Sequence, residues 1–383
     1  MIENNEKIEA AIMLSSYLDT IGFKNGQWEF NYNKNTNNIE EAISMNFTIV
    51  NHYMSLGGFS NLDIKNWKAS DDTILMMATV KALIDGGDEK DFIKRYIEIY
   101  DVLIKPERAA GLSTLRSIAF LKKIILTKKK SYFKLIPFDD RMGGNGASIR
   151  TGPIGIYYAN DIDKLISTSI IASRLTHNIP VGYLGGLISA LFASYAFKGI
   201  NSWSWLDNLL ALLKTDKIIN YINSTDIGKL HDDDINKYFL SWYKYKETRY
   251  DDIIKYRNKS TFIFPKERLL VMSEYTEKEY FIDKNNVERW DLIGASGLDC
   301  VIYAYDSLLM SIIPNTSNLK YNAEIFLFYC SLHVGDSDST GAIGGFWFGA
   351  LLGYDNFDVK KIEKLEFYAE LKKLSKNFIK KLL

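Results

Sequence analysis

Two short runs join carboxylates to hydroxyls at spacings suited to holding a cation: Ser70-Asp71-Asp72-Thr73 and Gly335-Asp336-Ser337-Asp338-Ser339-Thr340. The first stands directly before the apolar run Ile74-Leu75-Met76-Met77, where a helix N-cap belongs. Capping alone accounts for it, because Ser or Asp satisfies orphan amides and carboxylates in a first turn oppose the helix dipole, each worth on the order of 1 kcal/mol. The second run also precedes a helix. Its Asp-x-Asp spacing puts both carboxylates on one side only if that segment is extended, which predicts an extended lead-in and a helix starting near Gly341, capped by Ser339 or Thr340. Brought together, the two runs offer four carboxylates and several hydroxyls without histidine or thiolate. All-oxygen ligation favours Mg²⁺, Mn²⁺ or Ca²⁺ over zinc, and two divalent ions would balance the four charges. An EF-hand beginning at Asp336 fails because its twelfth position is Trp347, where a bidentate Glu is needed. A phosphotransferase aspartate would follow a parallel strand, and strand–helix alternation is missing.

The elements that must position these runs read as helices. Only six prolines occur in 383 residues, and apolar positions recur at three- and four-residue spacing, which predicts an all-α protein. Helices are expected over Lys7 to Ile21, Ile39 to Ser55, Asp72 to Ile84, Lys90 to Leu103, Ser113 to Ile125, Ile162 to Thr176, Tyr183 to Phe197, Asp234 to Arg257, Asp299 to Ile312, Ala323 to His333, Gly341 to Leu352 and Lys360 to Leu382. Glycines 341, 345, 349 and 353 form a straight stripe on the helix after the second run, which lets another backbone come close. No long Gly/Ser or Pro-rich linker and no repeat of fixed period breaks the chain, so residues 1–383 read as a single domain.

Composition narrows the function. Lys plus Arg equals Asp plus Glu at 47 each, so no global field favours nucleic acid. Cys300 and Cys330 lie in apolar runs and read as buried thiols in a reducing compartment. The acidic start Met1-Ile2-Glu3 carries no secretion signal, and cytoplasmic residence is the expectation. Ile179 to Phe197 is uncharged and approaches the length of a bilayer span. Its Pro180, Gly182, Gly185, Gly186, Ser189 and Ser194 suit a helix buried by other helices, and no membrane partner is expected.

Taken in order, a longer set of strings resembles the ADP-ribosylglycohydrolase family, and within it the ADP-ribosylarginine hydrolase branch. They are Asn25-Gly26-Gln27-Trp28-Glu29-Phe30; Gly57-Gly58-Phe59 through Trp67-Lys68-Ala69-Ser70-Asp71-Asp72-Thr73; Gly143-Gly144-Asn145-Gly146-Ala147; Thr176-His177 with Gly182-Tyr183-Leu184-Gly185; Ala295-Ser296-Gly297; and Gly335 to Thr340. The resemblance implies a compact orthogonal multi-helix domain with a binuclear Mg²⁺ centre, Mn²⁺ being an alternative ion. It implies Ser70, Asp71, Asp72, Asp336, Asp338 and Ser339 as ligands, with Glu29 over the site near the scissile ribose. Gly143 to Ser148 (Gly143, Gly144, Asn145, Gly146, Ala147, Ser148) would contact the diphosphate, and small residues there would let backbone amides approach it. His177, Ser296 and Gly297 would line the ADP-ribose pocket. A lone histidine at a helix end is also a common capping or core residue, and His52, His231 and His333 have no comparable context.

The activity so implied is hydrolysis at the anomeric carbon of ADP-ribosylated protein side chains, arginine first, releasing ADP-ribose through an oxocarbenium-like transition state. Asp71 or Asp72 would be the general base and Glu29 would position substrate. Two departures stand out. Leu18-Asp19-Thr20-Ile21-Gly22 replaces the usual Gly-Asp-Ala-Leu-Gly. Leu298 takes a place where arginine-branch members often carry histidine, which keeps ADP-ribosylserine, O-acetyl-ADP-ribose and catalytically silent ADP-ribose binding open as alternatives.

Overall fold

A computed structural model describes residues 3–28, 36–125, 131–225, 232–256, 265–276, 278, 282–283, 285–313 and 320–383. Fifteen helices of eight residues or more lie among them. They are α1 Asn4–Phe23, α2 Ile39–Ser55, α3 Asp71–Asp85, α4 Glu89–Glu98, α5 Leu112–Ile124, α6 Ile162–Arg174, α7 Pro180–Phe197, α8 Trp205–Leu213, α9 Lys217–Ser224, α10 Asp232–Tyr245, α11 Pro265–Ser273, α12 Asp299–Met310, α13 Ala323–Ser331, α14 Ser337–Leu352 and α15 Tyr368–Leu382. Strand pairing among the described residues is limited to isolated bridges, one of them joining Gly144 to Ser296.

Helices α1, α7 and α14 form the centre, which explains why their sequences are apolar on nearly every side. The uncharged α7 is 89% buried inside the fold, and protein atoms rather than lipid account for its composition. Phe192 on α7 packs against Trp205, Trp242, Tyr305 and Trp347, with ring centroids 5.4, 5.6, 5.0 and 5.4 Å away. Burying one such ring contributes roughly 2–3 kcal/mol before the entropy of ordering it. The Trp347 indole N–H, otherwise stranded in that cluster, donates to the Ser189 carbonyl at 2.9 Å. Cys300 and Cys330 are buried free thiols.

The glycine stripe of α14 faces α1. A methyl group at Gly341 would lie 2.9 Å from Leu18 O, one at Gly345 2.8 Å from Leu14 C, and one at Gly349 2.5 Å from Ala10 O. Partners at 18, 14 and 10 descend as the glycines ascend, so the helices run antiparallel in direct backbone contact. Gly22 on α1 reciprocates: a methyl there would lie 2.6 Å from Asp338 Cα. Gly353, by contrast, stands outside the stripe and ends the helix with φ at +65°.

Several expected boundaries shift, and three of the changes alter the packing. The helix expected from Gly341 starts four residues earlier, at Ser337. The one expected over Lys360 to Leu382 is interrupted between Ile362 and Tyr368, where Glu366 turns inward onto Arg108 and Phe367 lies under the same guanidinium, 5.4 Å from ring centroid to Cζ. The stretch from Asp234 passes from α10 into a π-helical turn at Lys246–Tyr250. That turn carries Arg249 to Asp306, whose fully buried carboxylate also accepts from Arg268 at 2.5 Å and from the Tyr245 hydroxyl at 3.0 Å.

Candidate metal centre and substrate loop

The first acidic run sits where a helix begins. Ser70 caps α3, its Oγ accepting the Asp72 N–H at 3.1 Å. Asp71 and Asp72 occupy the first turn, Asp72 buried and Asp71 half-buried. Residues 67–70 have no regular structure, so side chains must satisfy their amides. Lys68 N donates to Asn25 Oδ1 at 2.7 Å, Ala69 N to Glu366 Oε2 at 3.2 Å and Ser70 N to Asp19 Oδ1 at 3.3 Å.

The second run reaches the same point by a different geometry from the extended one expected. Asp336 is the N-cap of α14, with φ −72° and ψ 73°, and Asp338 and Ser339 are helical. The pair still converges, because an N-cap residue lies outside the helical spiral and its carboxyl can meet that of the second helical residue. Asp336 and Asp338 are in side-chain hydrogen-bond contact, and Asp338 Oδ1 accepts the Ser339 N–H at 2.8 Å. Thr340 does not cap the helix; its hydroxyl donates to the Cys330 carbonyl at 2.7 Å.

Asp19, from the last turn of α1, completes the group. Oxygens of Asp19, Asp72 and Asp338 lie within 4.8 Å of one another, all three residues buried. Asp19 also accepts from the Thr73 N–H at 3.2 Å and from the Thr73 hydroxyl. The available signal was the Leu18-Asp19-Thr20-Ile21-Gly22 string. Only the α1–α14 crossing shows that it meets the two runs.

Electrostatics make the crowding explicit. Burial, then the charges of Asp19 and Asp336, push Asp71 up to about 8. Burial pushes Asp19 up to about 6 against the hydrogen bonds from Thr73 and Ser70. Asp72 is driven well above the carboxylate range by burial and by Asp71, and Asp336 is raised by burial although Asp338 and Asn145 bond it. Asp72 Oδ2 and Asp336 Oδ1 are buried with no hydrogen-bond partner. Orphaned carboxylate oxygens are costly unless a cation or proton meets them. The N-termini of α3 and α14 both point their amides here, which favours the anionic form without cancelling the repulsion. An all-oxygen set with two free acceptors therefore fits a hard divalent cation.

The glycine-rich loop lies beside the cluster. Gly144, Asn145 and Gly146 are partly exposed, while Gly143, Ala147 and Ser148 are buried. Asn145 Nδ2 donates to Asp336 Oδ2 at 2.9 Å and to Gly294 O at 2.8 Å, so this side chain ties the loop to the acidic group. Arg150, fully buried, donates to the Gly146 carbonyl, to Thr176 Oγ1 at 2.6 Å and to the Tyr96 hydroxyl at 3.0 Å. His177 lies under the loop: a methyl at Gly146 would be 2.7 Å from its Cε1. Its Nδ1 pairs with Thr176 Oγ1 at 2.8 Å, and burial with the Arg150 charge lowers it to about 3, so the ring is neutral. Ser296 and Gly297 are buried behind the loop. Gly297 N donates to Gly143 O at 2.9 Å, and Ser296 Oγ donates to Asp299 Oδ1 at 2.9 Å while accepting amides at the start of α12. The structure thus gathers Ser70, Asp71, Asp72, Asp336, Asp338 and Asn145. It sets His177, Ser296 and Gly297 behind the loop, and Glu29 lies outside the described residues, as does His231.

His333 also acquires a place. Its Nδ1 accepts the Gly335 N–H at 3.2 Å, which leaves Nε2–H to donate to Thr340 Oγ1 at 2.8 Å. One neutral ring thereby holds both flanks of the Asp336–Ser339 turn.

With this geometry in hand, the chain can be set against known proteins. The ADP-ribosylglycohydrolase family model matches residues 4–382, and the chain belongs to that family. It is 35% identical over 395 residues to an ADP-ribosylhydrolase ARH1 of Dictyostelium discoideum, covering 97% of this chain and 93% of the relative. It is 30% identical to a putative ADP-ribosyl glycohydrolase of Acanthamoeba polyphaga mimivirus, covering 94% of this chain and 67% of that one. The solved structure of an ADP-ribosylglycohydrolase-related protein complex aligns over 100% of the chain with a TM-score of 0.56 at 16% identity, which speaks to the fold.

Proposed function

We propose that the protein is a Mg²⁺-dependent hydrolase that cleaves the N-glycosidic bond between ADP-ribose and a modified arginine, releasing ADP-ribose and the free side chain. The observation that carries this reading is the convergence of Asp19, Asp71, Asp72, Asp336 and Asp338, with two buried oxygens unpartnered. The similarity to the Dictyostelium ARH1 protein supports the arginine linkage. Ser70, Asp71, Asp72, Asp336, Asp338 and Ser339 would hold two divalent ions. The chemistry these supply is neutralisation of the acidic cluster, orientation of ribose hydroxyls and a lowered pKa for water.

The remaining work falls to the chain. Asp71 is the half-buried carboxylate of the first run, and it would take the proton of the attacking water. That water bonds to the anomeric carbon as the carbon–nitrogen bond breaks, and the guanidinium, protonated at neutral pH, leaves as neutral guanidine that then regains a proton. The partly exposed Gly144 and Gly146 would receive the diphosphate, while the Asn145 amide, donated to the Ala295 carbonyl at 3.0 Å, and Arg150 and His177 fix the loop from below. Glu29 would position the ribose. With both thiols free and buried, a reducing compartment such as the cytoplasm is the proposed setting.

The test offers arginine- and serine-linked ADP-ribosyl peptides separately with Mg²⁺, using wild type, Asp71→Ala and Asp336→Ala. Release from the arginine peptide by wild type alone is expected. Equal activity of both variants would sink the metal centre, and cleavage of the serine peptide alone would replace the arginine assignment.

A further inference from the structure

The irregular segment 67–70 is held by acceptors from outside both acidic runs: Asp19 and Asn25 near one end of the chain and Glu366 near the other. Glu366 comes from the interruption before α15. Its Oε2 accepts the Ala69 N–H at 3.2 Å, and Arg108 Nη1 donates to the Ala69 carbonyl at 2.8 Å. The same guanidinium donates to Glu366 through Nη1 at 2.8 Å and Nη2 at 3.0 Å. Both polar groups of residue 69 are thus gripped by one bidentate ion pair, fixing the 68–69 and 69–70 peptide planes that lead into Ser70. Bidentate arginine–carboxylate pairs have defined geometry and little freedom to slide. Arg108 is 7% exposed and its flat face lies on Phe367. Lys68 adds a 2.8 Å bond to Glu366 Oε1. The break in the final helix is what delivers Glu366 to this place.

We propose that Glu366, locked by Arg108, is a positioning residue that sets the Ser70-Asp71-Asp72 turn in the register needed to bind the divalent cation. This rests on the metal reading above. Neither residue touches the cation or substrate. Their influence passes through the backbone of Ala69, as expected of groups that orient metal ligands, whose loss typically weakens metal affinity 10–100-fold. Glu370, in the first turn of α15, provides a control: it pairs with Lys81 at 2.7 Å and is 48% exposed, and Lys81 lies ten residues along α3 from Asp71.

The experiment is calorimetric titration of Mn²⁺ into the chelator-stripped full chain, well below its unfolding temperature, for wild type, Glu366→Ala, Glu366→Gln, Glu370→Ala and Asp336→Ala. Glu366→Ala should weaken binding by about tenfold, yet regain wild-type turnover at saturating cation. Glu366→Gln keeps an oxygen for the Ala69 amide and should lose less. Glu370→Ala should match wild type. If wild type itself binds no Mn²⁺, the metal reading fails. If wild type binds and Asp336→Ala does not, while Glu366→Ala is unchanged or Glu370→Ala is equally weakened, the positioning role is overturned. Should Glu366→Ala not fold, Arg108→Lys decides: it keeps the charge but cannot grip Ala69 and Glu366 together. Weaker binding supports the role and unchanged binding rejects it.

Discussion

Alanine at Gly22 should break the cation site through helix spacing alone. Its Cβ would lie 2.6 Å from both Asp338 Cα and Asp338 N, whereas comfortable carbon contacts begin near about 3.5 Å. Backbone cannot rotate aside as a side chain can, so α1 and α14 must part by about 1 Å at this crossing. Overpacking of this kind costs about 1–3 kcal/mol, of which up to about 1 kcal/mol is returned by alanine's better helix propensity. The more telling effect is on geometry. Asp19 rides on α1 and Asp338 on α14, and Mg²⁺ demands near-octahedral oxygens at roughly 2.1 Å, so a shift of half that length should weaken the cation at least about tenfold. Gly349→Ala separates the two effects. Its methyl would meet Ala10 O at 2.5 Å, an equal clash at the far end of the same helix pair. Both variants should lose similar stability in urea titrations, while calorimetry should show weak Mg²⁺ binding for Gly22→Ala only. Equal Mg²⁺ affinity in the two variants would refute the reasoning.

Three further outcomes follow from burial and charge. Asp71, raised to about 8 in the folded chain, binds its proton more tightly than when unfolded, so the stability it contributes to chelated protein should be fully present below about 4 and be lost as pH rises from there through about 8. The slope should be up to about 1.4 kcal/mol per pH unit over that window; Asp71→Asn should reduce it, the remainder belonging to Asp19, Asp72 and Asp336, and a slope unchanged in Asp71→Asn would assign it to those carboxylates alone. His333 has the opposite sign: burial, then Arg268, lowers it to about 3, so its stability contribution is present above 6.5 and is lost as pH falls toward 3. The stability difference between wild type and His333→Asn should therefore shrink by about 1.4 kcal/mol per pH unit below 6.5, and a pH-independent difference would count against the neutral ring. Asp306→Ala leaves Arg249 and Arg268 buried without their shared carboxylate, and chemical denaturation should register a loss of about 3–5 kcal/mol; a loss under about 1 kcal/mol would mean that water reaches the pair.

Much of the fold can be read from the chain because its signals are local. Ile39–Ser55 is bounded as expected, since Asn38 caps it and the apolar period is clean. The 341–345–349 stripe announced a close helix neighbour. What it could not name was the neighbour, because glycine records that something approaches and not what. The start of α14 was misplaced for a related reason. Asp-x-Asp spacing converges on an extended backbone, but an N-cap followed by a helical carboxylate brings the pair together equally well.

For the centre itself, residue types gave the expectation of an all-oxygen, carboxylate-rich cluster with each run at a helix start. Those are properties of side chains and nearest neighbours. The place of Asp19, the Asn145–Asp336 bond and the Arg108–Glu366 grip were decided by tertiary structure. Each acts on residues tens to hundreds of positions away, and a contact across such a separation leaves no periodicity or spacing in the chain. It exists only once α1, α14 and the interrupted C-terminal helix have been packed against the two acidic turns.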